Sequence, residues 1–115
     1  MSEVIAYKDF YAHCDHMPGK DRVLRVGGVV ECPTDGWSAK LVRHERSGPP
    51  PFSPLTLELD LVLEEPQGEA SEVITDIEVE EFSIKDPSFD YHDVHIFGDR
   101  EHGDGPGQVV VIHTQ

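Results

Sequence analysis

Residues 55–64 read Leu-Thr-Leu-Glu-Leu-Asp-Leu-Val-Leu-Glu. Leu55, Leu57, Leu59, Leu61 and Leu63 recur at every second position, alternating with Thr56, Glu58, Asp60, Val62 and Glu64. Successive side chains of a strand point to opposite faces, so this stretch carries one apolar face and one mostly acidic face. A helix would scatter the same leucines around its circumference. The stretch predicts a strand of an antiparallel sheet, with one face on a core and one in water.

The flanking segments extend this reading. Val23–Cys32 places Leu24, Val26, Val30 and Cys32 in one phase, and Gly27-Gly28 inside it predicts a bulge or a close backbone approach. Pro33-Thr34-Asp35-Gly36 has turn chemistry, and alternation resumes from Trp37 to about Glu45, which predicts a hairpin. Ser47–Pro54 (Ser-Gly-Pro-Pro-Pro-Phe-Ser-Pro) reads as an extended crossover loop. In Glu72–Ile84 the phase set by Val73, Thr75, Ile77 and Val79 switches to Phe82 and Ile84. The break at Glu80-Glu81 predicts a bulge or a bend that changes sheets. Phe89–Phe97 and Val109–His113 complete the strands, with the polar Gly98–Gly107 loop between them. Val4, Tyr7 and Tyr11 have helical spacing but Val4–Tyr7 also suits a strand, and His13–Lys20 reads as loop, so residues 1–22 are less regular. The expected fold is all-β: residues 1–115 as one domain, an antiparallel β-sandwich or open barrel of six to seven strands.

The chain has 9 Lys+Arg against 23 Asp+Glu, a formal charge of −14. A nucleic-acid partner requires the opposite balance, and an anionic membrane surface would repel the chain. No apolar run approaches the roughly 20 residues of a membrane-spanning helix. The charge is lopsided. Residues 1–57 hold seven acids and seven bases, whereas residues 58–115 hold sixteen acids with only Lys85 and Arg100. Such a surface either serves solubility alone or steers a basic partner. Residues 1–20 lack the basic start and apolar block of a secretory signal. Cys14 and Cys32 read as reduced thiols in a cytoplasm, with a single bridge between them left open.

Catalytic signatures are sparse. There is no Gly-x-Ser-x-Gly elbow and no phosphate-binding loop, and Asp86, Ser88 and Asp90 lack the glycine and distal glutamate of an EF-hand. Seven histidines invite a metal reading. The densest groups are His13-Cys14-Asp15-His16 and His92-Asp93-Val94-His95, with donors suited to zinc or another transition metal. Residues three apart on a strand point to opposite faces, so His92 and His95 need a twist to share an ion. Half-buried structural histidines account for the same residues without a metal.

The segment Val26-Gly27-Gly28-Val29-Val30-Glu31-Cys32-Pro33-Thr34-Asp35-Gly36-Trp37 resembles small bacterial all-β proteins of mostly unassigned function. The resemblance spans roughly residues 23–97 and carries no site residues with it. It implies a non-catalytic accessory protein that binds peptides in a natural-product pathway. Together these readings lead to a cytoplasmic, non-enzymatic binding module, expected to need no cofactor. Its partners are expected to be a second copy of itself and a basic or extended peptide. Trp37, Phe52, Tyr91 and Phe97 are the candidate aromatic anchors, and Glu78, Glu80 and Glu81 the candidate charge partners. The alternatives are a metal-binding protein or metal enzyme using His13, Cys14, His16, His92 and His95, and a structural subunit of a larger complex.

Overall fold

The leucine stretch sits at the middle of one wall. In the computed structural model, which describes residues 4–16, 21–44, 55–87, 90–99 and 101–114, Leu57, Leu59, Leu61 and Leu63 are all buried, and Leu59 is fully so. Their strand is the fourth of eight among the described residues: β1 Ala6–Asp15, β2 Val23–Cys32, β3 Ser38–Arg43, β4 Thr56–Glu64, β5 Thr75–Glu78, β6 Phe82–Lys85, β7 Asp93–Phe97 and β8 Gly107–Thr114. There is no helix among them, and none long and apolar enough to cross a membrane.

The strands form one nearly closed sheet in the order β3-β4-β7-β8-β1-β2-β5, with β6 also on β2. Two walls face each other across the core. One is built on in-register pairs of β4, with Leu41 opposite Leu61, Val94 opposite Leu57 and Ile96 opposite Leu59. The other is built on β2, with Cys14, Ala12 and Tyr7 opposite Leu24, Val26 and Val30 on one side, and Ile84, Phe82 and Ile77 opposite the same three on the other. β8 joins the walls. Its first half pairs with β7 (Asp93 opposite Val110) and its second half with β1 (Ala12 opposite Val111). The ends of the sheet meet where Glu80 bridges to Lys40 and the Glu80 amide donates to the Ala39 carbonyl at 2.9 Å.

The all-β, barrel-like architecture follows the sequence reading, but the pairing departs from it in two ways. The sheet is mixed: β1–β8 and β4–β7 run parallel. β2 and β3 do not form a hairpin. β3 pairs with β4, while β2 pairs with β1, β5 and β6, so Pro33–Gly36 turns a corner between the walls. Contacts beyond local turn chemistry hold that corner. Ser71 N–H donates to the Asp35 carboxylate at 2.9 Å, and Pro66 packs against Gly36, which has φ +82°. The phase break at Glu80-Glu81 takes the bulge form of the expectation: four residues advance from Glu78 to Phe82 against three from Val29 to Val26, and β5 and β6 stay on the same partner strand. The jog carries Glu80 across to β3 instead of moving the chain to another sheet.

The N-terminal ambiguity also has a physical cause. β1 continues through His13–Asp15, where loop was expected, and it carries a bulge between Lys8 and Tyr11, with Asp9 at φ +52°. An extra residue shifts the phase of a strand by one. Inward positions therefore fall at Tyr7, Phe10, Ala12 and Cys14, which looks partly helical in sequence. Opposite the bulge, Gly27-Gly28 provides the close approach. A Cβ on Gly28 would stand 2.5 Å from Phe10 Cγ inside the barrel, and one on Gly27 would stand 2.6 Å from Tyr11 Oη outside it. Pro-rich residues 47–54, Phe52 among them, lie outside the described residues; the strands on either side of them pair antiparallel.

Cys14 and Cys32 are buried free thiols. Cys14 lies opposite Leu24, and Cys32 is eight positions further along β2, about 26 Å at ~3.3 Å per residue. No bridge between them is possible in this fold. Burial raises the pKa of both, that of Cys32 to about 11.

Candidate functional site

The seam where the sheet closes is a groove of about 730 Å³. The β5–β6 jog forms one side of it (Ile77, Glu78, Val79, Glu80, Glu81) and the start of β3 another (Trp37, Ser38, Ala39). Asp9, Tyr11, Gly28 and Val29 complete it. The jog exists because Val79 turns inward to a buried position, its amide donating to the Gly28 carbonyl at 2.9 Å, while its acidic neighbours stay at the surface. Among the described residues one backbone bridge ties β3 to this segment, so the described strand edges flanking the seam are largely unpaired with each other.

The groove combines apolar and acidic surface. Tyr11 lies across Gly27 and donates its hydroxyl to Glu81 Oε2 at 2.6 Å, a charge-assisted bond to the neutral phenol. This bond, with burial and the nearby negative charge, pushes the Tyr11 pKa up to about 12. Glu81 also faces Arg25 Nε at 3.8 Å. The carboxylates of Asp9, Glu78 and Glu80 have no cationic partner among the described residues.

Trp37 is braced from behind. Its indole N–H donates to Thr34 Oγ1 at 2.9 Å, and its ring meets His102 edge-to-face with centroids 5.1 Å apart. His102 is the one buried polar side chain among the described residues. Its Nδ1 lies 3.0 Å from Asp99 Oδ2 and its Nε2 3.3 Å from Glu65 Oε2. Burial opposes the imidazolium, but the hydrogen bonds to Asp99 and Glu65 outweigh it, so the His102 pKa is raised.

Of the residues singled out in sequence, Trp37, Glu78, Glu80 and Glu81 meet in this groove. Tyr91 is buried in the core, and Phe97 lies on the outer wall between His44 and His95, with ring centroids 4.5 and 4.4 Å away. Asp9, Tyr11, Val29 and Ile77 belong to the groove without having been singled out. Only knowledge of the β1 bulge would have placed Tyr11 and Asp9 there.

The metal-type residues divide differently. Donor atoms of Cys14, His16 and His113 lie within 4.8 Å of one another at the end of β1 and β8. His13 points elsewhere and bonds Thr114 Oγ1 at 2.8 Å, His92 is exposed ahead of β7, and His95 stacks on Phe97. A second group, Asp99, Glu101 and His102, belongs to the brace behind Trp37. The legible signal for the first group was Cys14-x-His16, because residues two apart share a strand face. Its third member, His113, is brought in by the parallel β1–β8 pairing, which sets it opposite Cys14. Comparison with protein-family models, curated protein sequences and solved structures finds no match for the chain.

Proposed function

We propose that the protein is a non-catalytic binding module that receives an extended, basic peptide segment in the seam groove. The observation that carries this reading is the pairing of an apolar wall (Trp37, Tyr11, Val29, Ile77) with three carboxylates, Asp9, Glu78 and Glu80, that have no cationic partner among the described residues. Lysine or arginine side chains supply the missing charge and lay their methylene stems on the wall. The seam also offers strand edges, the element used when a peptide is captured by strand addition. The sixteen acids of residues 58–115 add a long-range field that draws such a ligand in. The two distant thiols suit a cytoplasmic location, and the role is that of an accessory protein in a biosynthetic pathway. A homodimer is part of the proposal: Val110 and Ile112 are 62% and 57% exposed beside Tyr11, an apolar face for a second copy.

The test is stopped-flow association with a labelled peptide library bearing Lys or Arg at alternate positions. Binding is expected to slow steeply as salt rises, and E78Q/E80Q to cut the association rate about tenfold. Association that is indifferent to salt and to E78Q/E80Q refutes the proposal.

A further inference from the structure

The geometry points to a transition-metal site, suited to zinc(II), formed by Cys14 Sγ, His16 Nε2 and His113 Nδ1 at the mouth of the barrel where β8 meets β1. It shares no residue with the seam groove.

Three features carry it. The first is convergence. Cys14 and His16 lie two apart, and His113 is the parallel-register partner of Cys14, so all three fall in the inward phase. The His16 amide donates to the Thr114 carbonyl at 2.8 Å, which continues the pairing past the end of β1 and holds His16 over the mouth. The three donor atoms lie within 4.8 Å of one another. Zinc at ~2.3 Å from sulfur and ~2.0–2.1 Å from nitrogen needs tetrahedral donors roughly 3.3–3.6 Å apart. Side-chain adjustments of about 1 Å reach that spacing.

The second feature is the tautomer of His113. Its Nε2 stands 3.0 Å from the Tyr91 carbonyl oxygen. A carbonyl only accepts, so Nε2 carries the proton, and in the neutral ring Nδ1 presents its lone pair toward His16 Nε2, 2.7 Å away. A ligating histidine held by a backbone carbonyl through its other nitrogen is the arrangement that orients metal-bound imidazoles. Tyr91 is itself buried, so this support is rigid.

The third feature is the donor set. One thiolate and two imidazoles select zinc or cobalt over magnesium or calcium. Binding replaces the Cys14 S–H bond with an S–metal bond and releases that proton to solvent. His16 moves its Nε2 proton to Nδ1, with no net release. Three protein ligands leave a fourth position to water.

The test is titration of the full chain, freed of metal by a chelator, with cobalt(II) and then zinc(II). The expected results are one ion per chain, about one proton released per ion, and a cobalt spectrum with a thiolate charge-transfer band and tetrahedral d–d intensity. Zinc should displace the cobalt and raise Tm. C14S should abolish the charge-transfer band, and H113Q should weaken binding by at least about 100-fold. H113Q alters an exposed side chain, so it keeps the test decisive if C14S does not fold. H92A and H95A should bind as the parent does. No binding tighter than about 100 μM, an octahedral spectrum without the charge-transfer band, or unchanged affinity in H113Q overturns the proposal. Binding that is lost in D99N but retained in H113Q also overturns it, because it would place the ion at the brace behind Trp37.

Discussion

Replacing Gly28 by Ala tests the packing of the barrel at its tightest point. The new Cβ would stand 2.5 Å from Phe10 Cγ and 2.6 Å from both Cδ atoms, against an optimal carbon–carbon separation of about 3.5–4.0 Å. The ring therefore has to retreat by about 1 Å or more, and it packs against the core, so it cannot swing into water. Overpacking of this kind costs about 1–3 kcal/mol. Reduced freedom of the unfolded chain returns about 0.4–1 kcal/mol, because the backbone at Gly28 is not in the left-handed region. The expected net loss is about 1–2 kcal/mol, or roughly 3–10 °C in Tm for a chain of this size. The assay is urea unfolding followed by the fluorescence of Trp37, the only tryptophan. F10L makes room for the methyl group, so G28A should cost less in that background, with a favourable coupling of about 1 kcal/mol in a double-mutant cycle. G27A is the internal comparison. Its Cβ meets Tyr11 at 2.6 Å, but that ring is 42% exposed and can move outward, so its cost should be under ~1 kcal/mol. If G28A is neutral or stabilising, or if G28A and F10L add within about 0.5 kcal/mol, Phe10 does not lie over Gly28 and the bulge register is wrong.

Leu59→Ala should cost about 2–5 kcal/mol in the same unfolding assay, because Leu59 is fully buried, whereas Val73→Ala, 60% exposed, should change stability by less than ~0.5 kcal/mol. For His102, the folded pKa lies above the unfolded value of about 6.5, so its contribution is complete below that pH and is lost as pH rises through the folded pKa. H102Q should remove this pH-dependent loss from a stability-versus-pH series and lower stability by about 1–3 kcal/mol at pH 6, the lower end reflecting the half-exposed Glu65. Spectrophotometric titration should find a tyrosine near pH 12 that is absent in Y11F and moves toward ~10 in E81Q; no such change in E81Q would break the assigned Tyr11–Glu81 bond.

The barrel walls were legible from residue order alone wherever period 2 survived. Leu57–Leu63 and Leu24–Cys32 alternate without a phase break, and every inward position they name is buried. The acidic half of the groove was legible too, because Glu78, Glu80 and Glu81 flank a phase break, and a break brings neighbouring residues to a surface edge. Strand pairing was not legible. Alternation states which face of a strand is buried but not which strand lies beside it. The parallel joints β1–β8 and β4–β7 link residues up to 101 positions apart, such as His13 and Thr114, and no local pattern encodes them. The same limit hid Tyr11 from the groove and His113 from Cys14. Local chemistry determined the all-β class, the core positions and the acidic patch, because each depends on neighbours in sequence. Tertiary structure alone decided the closure at Glu80–Lys40, the brace of His102 behind Trp37 and the meeting of Cys14, His16 and His113, because each depends on which distant strand edges satisfy one another's backbone hydrogen bonds.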